Sequence, residues 1–90
     1  MTDNNTNLNI IQKWVYTAFP VAKDRSIANT ESLLETGIID SMGTLEVVDF
    51  LEQEFGLEVL DDEMVADHFD SIQTIADYVA EKLGGNNIQK

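Results

Sequence analysis

The residues of this 90-residue chain whose types could do chemistry are Ser41, the acids around it and the lone His68. Asp40 and Ser41 are both good helix N-cap residues, because a short side-chain oxygen there accepts a bond from an otherwise unpaired amide. An isolated serine at a helix start most often does no more than that. Such a serine nevertheless stands on a fixed frame, with its hydroxyl offered to solvent and helix amides close by. A hydrolase needs more. His68 is the single histidine, and Ser41 lies in no Gly-x-Ser-x-Gly turn, so a serine–histidine–acid triad has no support. The chain is therefore expected not to be an enzyme, and His68 to be a surface or helix-end residue. One histidine without cysteine does not make the usual zinc site. Asp61, Asp62, Glu63 and Asp67 cluster without the register of an EF-hand, so no dedicated metal site is expected. With no cysteine, any thiol chemistry would need an added prosthetic group.

The elements that must position Ser41 are helical. Leu8, Ile11, Val15 and Ala18 recur at helical spacing, with Trp14 and Phe19 beside them, and predict a first helix stopped at Pro20. Trp14 is expected to be partly buried core. Residues 20–40 form a long connection whose Leu33, Leu34, Ile38 and Ile39 bracket Gly37, so it should pack down onto the helices. A second helix runs from Ser41 to Phe55 and ends at Gly56. Asp61, Asp62 and Glu63 favour the start of a short third helix, with Met64, Val65 and Phe69 apolar. Asp70 and Gln73 have capping-box spacing ahead of a fourth, whose apolar face is Ile72, Ile75, Ala76, Val79 and Leu83 and whose end is Gly84-Gly85. No segment demands a strand. The expected fold is all-α, a four-helix bundle with three longer helices and a short third one. Its domain should span residues 8–83, between a disordered tail over 1–7 and a flexible tail over 84–90.

The second helix has two faces. Thr44, Val47, Val48, Leu51 and Phe55 form the core stripe, and Met42, Glu46, Asp49, Glu52 and Gln53 fall on the opposite side. The net charge is −12, from 17 acidic and 5 basic residues, and there is no Lys or Arg between Arg25 and Lys82. That body repels nucleic acid and anionic lipid heads and attracts basic protein surfaces, so neither nucleic acid nor membrane is an expected partner. No stretch is long and apolar enough to span a bilayer, and Met1 to Asn7 lacks the basic flank and apolar run of a signal peptide, so the cytoplasm is the expected compartment; separately, the chain is expected to be a monomer.

The segment Glu35-Thr36-Gly37-Ile38-Ile39-Asp40-Ser41-Met42, followed by Leu45-Glu46, resembles the attachment motif of acyl and peptidyl carrier proteins. The resemblance extends through Phe50-Leu51-Glu52-Gln53-Glu54-Phe55-Gly56 and the spacing to Phe69-Asp70-Ser71-Ile72, covering residues 8–83. It implies a covalent 4′-phosphopantetheine arm on Ser41, flanked by the motif residues Asp40 and Met42. It also implies a phosphopantetheinyl transferase as partner, together with an acyl- or aminoacyl-adenylating ligase, synthase or acyltransferase. Partner enzymes would read Met42, Glu46, Asp49 and Glu52. Gly43 stands where fatty-acid carriers usually have an acid and Asp49 where they often have an apolar residue, and the Gly-Gly-x-Ser pattern of modular peptide synthetases is absent. The cargo thus stays open between fatty acyl, polyketide and aminoacyl groups. The alternative is an acidic helical interaction module that carries no arm.

Overall fold

Asn7 is four residues before Ile11 and shares its side of a helix, and the computed structural model, which describes residues 4–85 with side chains over 6–83, carries both into the interior. The first helix, α1 (Asn4–Ala18), therefore begins four residues earlier than the apolar pattern at Leu8 suggested, and residues 4–7 are its first turn rather than tail. Residues 1–3 and 86–90, the outer parts of the two expected tails, lie outside the described residues. Ile11 and Val15 are fully buried, while Leu8 and Ala18 are half-buried at the edges of the same stripe.

Pro20 ends α1 as expected but also starts α2 (Pro20–Asp24), a short helix inside the segment read as a plain connection. A proline suits the first helical position, where its missing N–H leaves no bond unmade. α2 is anchored by the buried Ala22. Residues 25–40 then pack onto the bundle through Ile27, Leu33 and Ile39, all buried. Polar bonds fix this segment from two sides. On α1, the Tyr16 hydroxyl donates to the Ile27 carbonyl (3.0 Å) and Gln12 Nε2 to Asn29 Oδ1 (2.8 Å). Near residue 70, the Ser32 hydroxyl donates to Asp70 Oδ1 (2.6 Å), Leu33 N–H donates to the Asp70 carbonyl, and Gln73 N–H donates to the Asn29 carbonyl (2.9 Å).

α3 (Ser41–Phe55) has the expected bounds. Gly56 takes the left-handed conformation (φ 67°) that closes the helix, and its N–H donates to the Glu52 carbonyl (3.1 Å). The expected short third helix is split in two. Residues Asp61–Glu63 form a tight 3₁₀ turn, Met64 and Val65 are not helical, and α4 (Ala66–Phe69) follows. α5 (Ile72–Ala80) is capped one residue later than its sequence suggested. Ser71 Oγ accepts from Thr74 N–H (3.1 Å) and Thr74 Oγ1 accepts from Ser71 N–H (3.0 Å), because Ser71 is extended (φ −145°, ψ 164°) as an N-cap is, whereas Asp70 keeps the helical conformation that ends α4 (φ −76°, ψ −29°). Ile72, Ile75, Ala76 and Val79 are fully buried along α5, which packs on α1 and widens into a π-helical turn, Glu81–Gly85. The described residues are all-helical with no strand, a small bundle built on α1, α3 and α5. No helix among them is long and apolar enough to cross a membrane.

Glu63 explains the split. Its Oε1 accepts from Leu60 N–H (3.1 Å), the Tyr78 hydroxyl (2.9 Å) and Lys82 Nζ (2.9 Å). Turning back to these donors closes the 61–63 turn and ties it to α5. The Lys82 ammonium, then the Leu60 amide, hold the Glu63 carboxyl down at about 2 against an ordinary value of 4.5, while burial, with Glu63 beside it, pushes the Tyr78 hydroxyl up. Because the folded value lies below the unfolded one, this clasp stabilises fully above pH 4.5 and is lost as pH falls from about 4.5 to about 2. Glu63→Gln is expected to cost about 1 kcal/mol at neutral pH, in the range of partly exposed ion pairs. Its melting temperature should converge on that of the parent chain across that acid window. Parallel melting curves down to pH 2 would rule out the clasp as an acid-sensitive contact.

Candidate functional site

Two residues competed for the cap of α3, and the backbone separates them. Asp40 is extended (φ −110°, ψ −167°), and its Oδ1 accepts from Gly43 N–H at 2.8 Å. Its carbonyl accepts from Thr44 N–H (2.9 Å) and from the Thr44 hydroxyl (3.1 Å). Ser41 is thereby the first helical residue and not the cap. It is exposed, and its hydroxyl makes no hydrogen bond among the described residues. The serine thus escapes the structural duty that its position would usually give it.

The turn that carries Ser41 is held from below. Gly43 is buried, and a Cβ placed there would meet Ile39 Cγ2 at 3.1 Å and Phe19 Cε1 at 3.2 Å. Phe19, at the kink between α1 and α2, therefore lies against the first turn of α3, and glycine allows the approach. In the sequence Gly43 is visible only as a departure from an acidic position, since nothing nearby announces a partner twenty-four residues back. On another side of Ser41 a cleft of about 240 Å³ opens, lined also by Leu34, Thr44, Met64, Val65 and Phe69.

The outer face of α3 agrees with the periodicity in part. Met42 is 71% exposed, and Glu46 and Asp49 are in solvent. Glu52 is a correction: it is half-buried, and its Oε2 accepts from Val59 N–H at 3.0 Å. That carboxylate fastens the chain after Gly56 to α3, so it is not a freely presented surface charge. Leu45, unassigned by the sequence reading, is 55% exposed and stands three residues after Met42 on the same side. The spacing alone would have found it. On the inner stripe Val47 and Leu51 are fully buried, and Thr44, Val48 and Phe55 are half-buried.

Trp14 is half-buried, with its ring stacked on Phe50 (centroids 4.4 Å apart, planes at 10°) and edge-on to Phe19 (5.8 Å). His68, in the last turn of α4, lies edge-on to Tyr78 at 4.7 Å, and no hydrogen bond joins it to Ser41 among the described residues. The described residues contain no group of three or more His, Cys, Asp or Glu arranged to hold a metal ion. In a scan of protein families, no family model matches this chain.

Proposed function

We propose that this chain is a carrier protein, bearing acyl or aminoacyl cargo on a 4′-phosphopantetheine arm attached to Ser41. The observation that carries the reading is the division of labour at the start of α3. Asp40 alone caps the helix, and Ser41 is left exposed with an uncommitted hydroxyl. The residues present suit attachment: the serine projects from a helix start that Phe19 and Ile39 brace through Gly43, and the chain offers no cysteine of its own.

In the attachment step Ser41 Oγ bonds to the pantetheine-bearing phosphorus of coenzyme A. The pyrophosphate P–O bond breaks, the nucleotide half leaves with the electron pair, and the hydroxyl proton passes to a base on the transferase. When bound, the arm supplies a terminal thiol that holds cargo as a thioester. Ser41 would anchor that tether, Asp40 keeps its helix end intact, and a cleft opens beside Ser41. Met42, Leu45, Glu46 and Asp49 are the exposed side chains that an enzyme reaching Ser41 must approach. Exposed carboxylates steer encounter over about 8–10 Å at ordinary salt while adding little to residence time. The cytoplasm, and a ligase, synthase or acyltransferase as loading partner, belong to the same reading.

The test is direct. Incubation with a broad-specificity phosphopantetheinyl transferase, magnesium and coenzyme A should add the mass of one arm to the intact chain, and fragmentation should place it on Ser41. No added mass would leave the unmodified interaction module as the better reading.

A further inference from the structure

We infer that Phe19 is a positioning residue for Ser41: its ring ends a line of aromatic side chains along α1 and α3 and sets where the first turn of α3 holds the serine. Phe55 lies edge-on to Phe50 (centroids 6.2 Å apart), Phe50 stacks on Trp14 (4.4 Å), and Trp14 lies edge-on to Phe19 (5.8 Å). The line stops against Gly43, where a Cβ would meet Phe19 Cε1 at 3.2 Å and Cζ at 3.3 Å. Trp14 and Phe19 therefore meet α3 at Phe50 and at Gly43, seven residues apart, or about 10 Å along the helix. One contact would leave α3 free to pivot, whereas two so spaced fix its tilt as well. Phe19 is itself held at both ends: its N–H donates to the Val15 carbonyl (2.8 Å), and its carbonyl accepts from Ala22 N–H (2.8 Å).

Gly43 is where this line reaches the serine. It is buried and stands two residues after Ser41. It is gripped on its other sides by Ile39, whose Cγ2 lies 3.1 Å from the same Cβ position, and by Asp40, whose Oδ1 accepts its N–H at 2.8 Å. With no side chain between ring and backbone, a shift of Phe19 passes directly to the turn that carries Ser41, because close-packed interiors transmit strain. The consequence for chemistry rests on the carrier reading. Attack on phosphorus needs the serine oxygen in line with the breaking bond, and a misplacement of about 1 Å can cost on the order of a hundredfold in rate. Phe19 is half-buried, and changing it leaves the exposed side chains Met42, Glu46 and Asp49 in place for an enzyme to meet. Loss of its ring should thus lower kcat for arm attachment and leave KM for the chain near the parent value.

Transferase kinetics on the full chain, at saturating coenzyme A and far below every melting temperature, test this role. Phe19→Leu should lower kcat about tenfold and keep KM within about twofold of the parent. Gly43→Ala, which adds the Cβ that meets the ring, should lower kcat too. In the Gly43→Ala chain, however, Phe19→Leu should raise kcat, because leucine lacks the two ring atoms that the Cβ meets; the recovery is partial, since Ile39 stays. Val79→Ala, at a fully buried site on α5, should melt lower yet be modified at the parent kcat and KM. Amide exchange is a second readout that needs no transferase. Phe19→Leu should raise the ratio of the Gly43 to the Val47 exchange rate about tenfold, and Val79→Ala should leave that ratio unchanged. If Phe19→Leu slowed the parent and the Gly43→Ala chain alike, or if Val79→Ala lowered kcat as much, Phe19 would be packing only and the assignment would fall. A parent chain that takes no arm would overturn the carrier reading instead, and an unchanged exchange ratio would then overturn the positioning role by itself.

Discussion

Replacing Ser41 with alanine is expected to abolish attachment of the arm entirely, under conditions in which the parent chain is fully converted. The effect is all-or-none because the transferred phosphorus needs an oxygen nucleophile at that place and alanine has none. A loss of modification is informative only if the fold survives, and the cap geometry guarantees that control. Gly43 N–H donates to Asp40, not to Ser41, so removing the serine hydroxyl leaves the helix start satisfied. Ser41→Ala should therefore melt with the parent. Asp40→Ala should lose about 1 kcal/mol through the orphaned amide. Intact mass and thermal melts on the two variants separate the roles. An alanine variant that still gains one arm would place the attachment elsewhere, and one that melts far below the parent would return Ser41 to a structural role.

The second large effect lies in the core. Leu51→Ala should cost about 2–5 kcal/mol and Phe69→Ala about 3–5 kcal/mol, by lost burial and by the cavities left behind. Leu51 is fully buried and Phe69 is 1% exposed, so neither site can be rescued by water. A domain of this size has a total stability of roughly 5–10 kcal/mol, so either variant gives up a large share of it. Phe55, assigned to the same stripe by its spacing, is half-buried with its ring edge-on to Phe50 at 6.2 Å, and its truncation should cost less. Denaturant midpoints at unchanged slope decide the matter. If Phe55→Ala moved the midpoint further than Leu51→Ala, the packing described for α3 would be wrong.

What could be read from the chain before folding followed from how local each determinant is. The bounds of α3 were legible because both ends carry their own signals, Asp40 at one and Gly56 at the other. The apolar stripes of α1 and α5 were legible from spacing, and the place of Ser41 at the start of α3 from the cap residue before it. The misreadings came where a distant residue competes for a local group. Asp70 looked like a cap and lost that role to Ser71, because α4 holds its backbone helical while Ser32, thirty-eight residues earlier, draws its carboxylate across. The third helix breaks because Tyr78 and Lys82 claim Glu63. Glu52 leaves the outer face because Val59 N–H needs an acceptor. Pro20 is compatible with both a stop and a start, and only the burial of Ala22 shows that it serves as both. Gly43 has no meaning until Phe19 arrives beside it.

The bonds between residues 29–33 and residues 70–73 set the order in which the molecule can assemble and come apart. Each helix closes its backbone bonds on near neighbours, but the packing of α1 on α5, the bonds of Ser32 and Leu33 to Asp70 and that of Gln73 to Asn29 all wait until about forty or more residues of intervening chain have been gathered in. Closing loops of that length is an entropic cost common to the bundle and to this segment, but residues 25–40 form no helix that closes its own amides, so the segment is expected to dock late. The same segment is then expected to leave the native state before the helices it covers, as one cooperative unit. The amides of Leu33 and Gln73 should exchange with solvent deuterium at a common rate, faster than those of Val15 and Val79 in the helical core. A tether set at Ser41 would thus emerge immediately downstream of the segment expected to open first, from a helix start that Asp40 keeps closed.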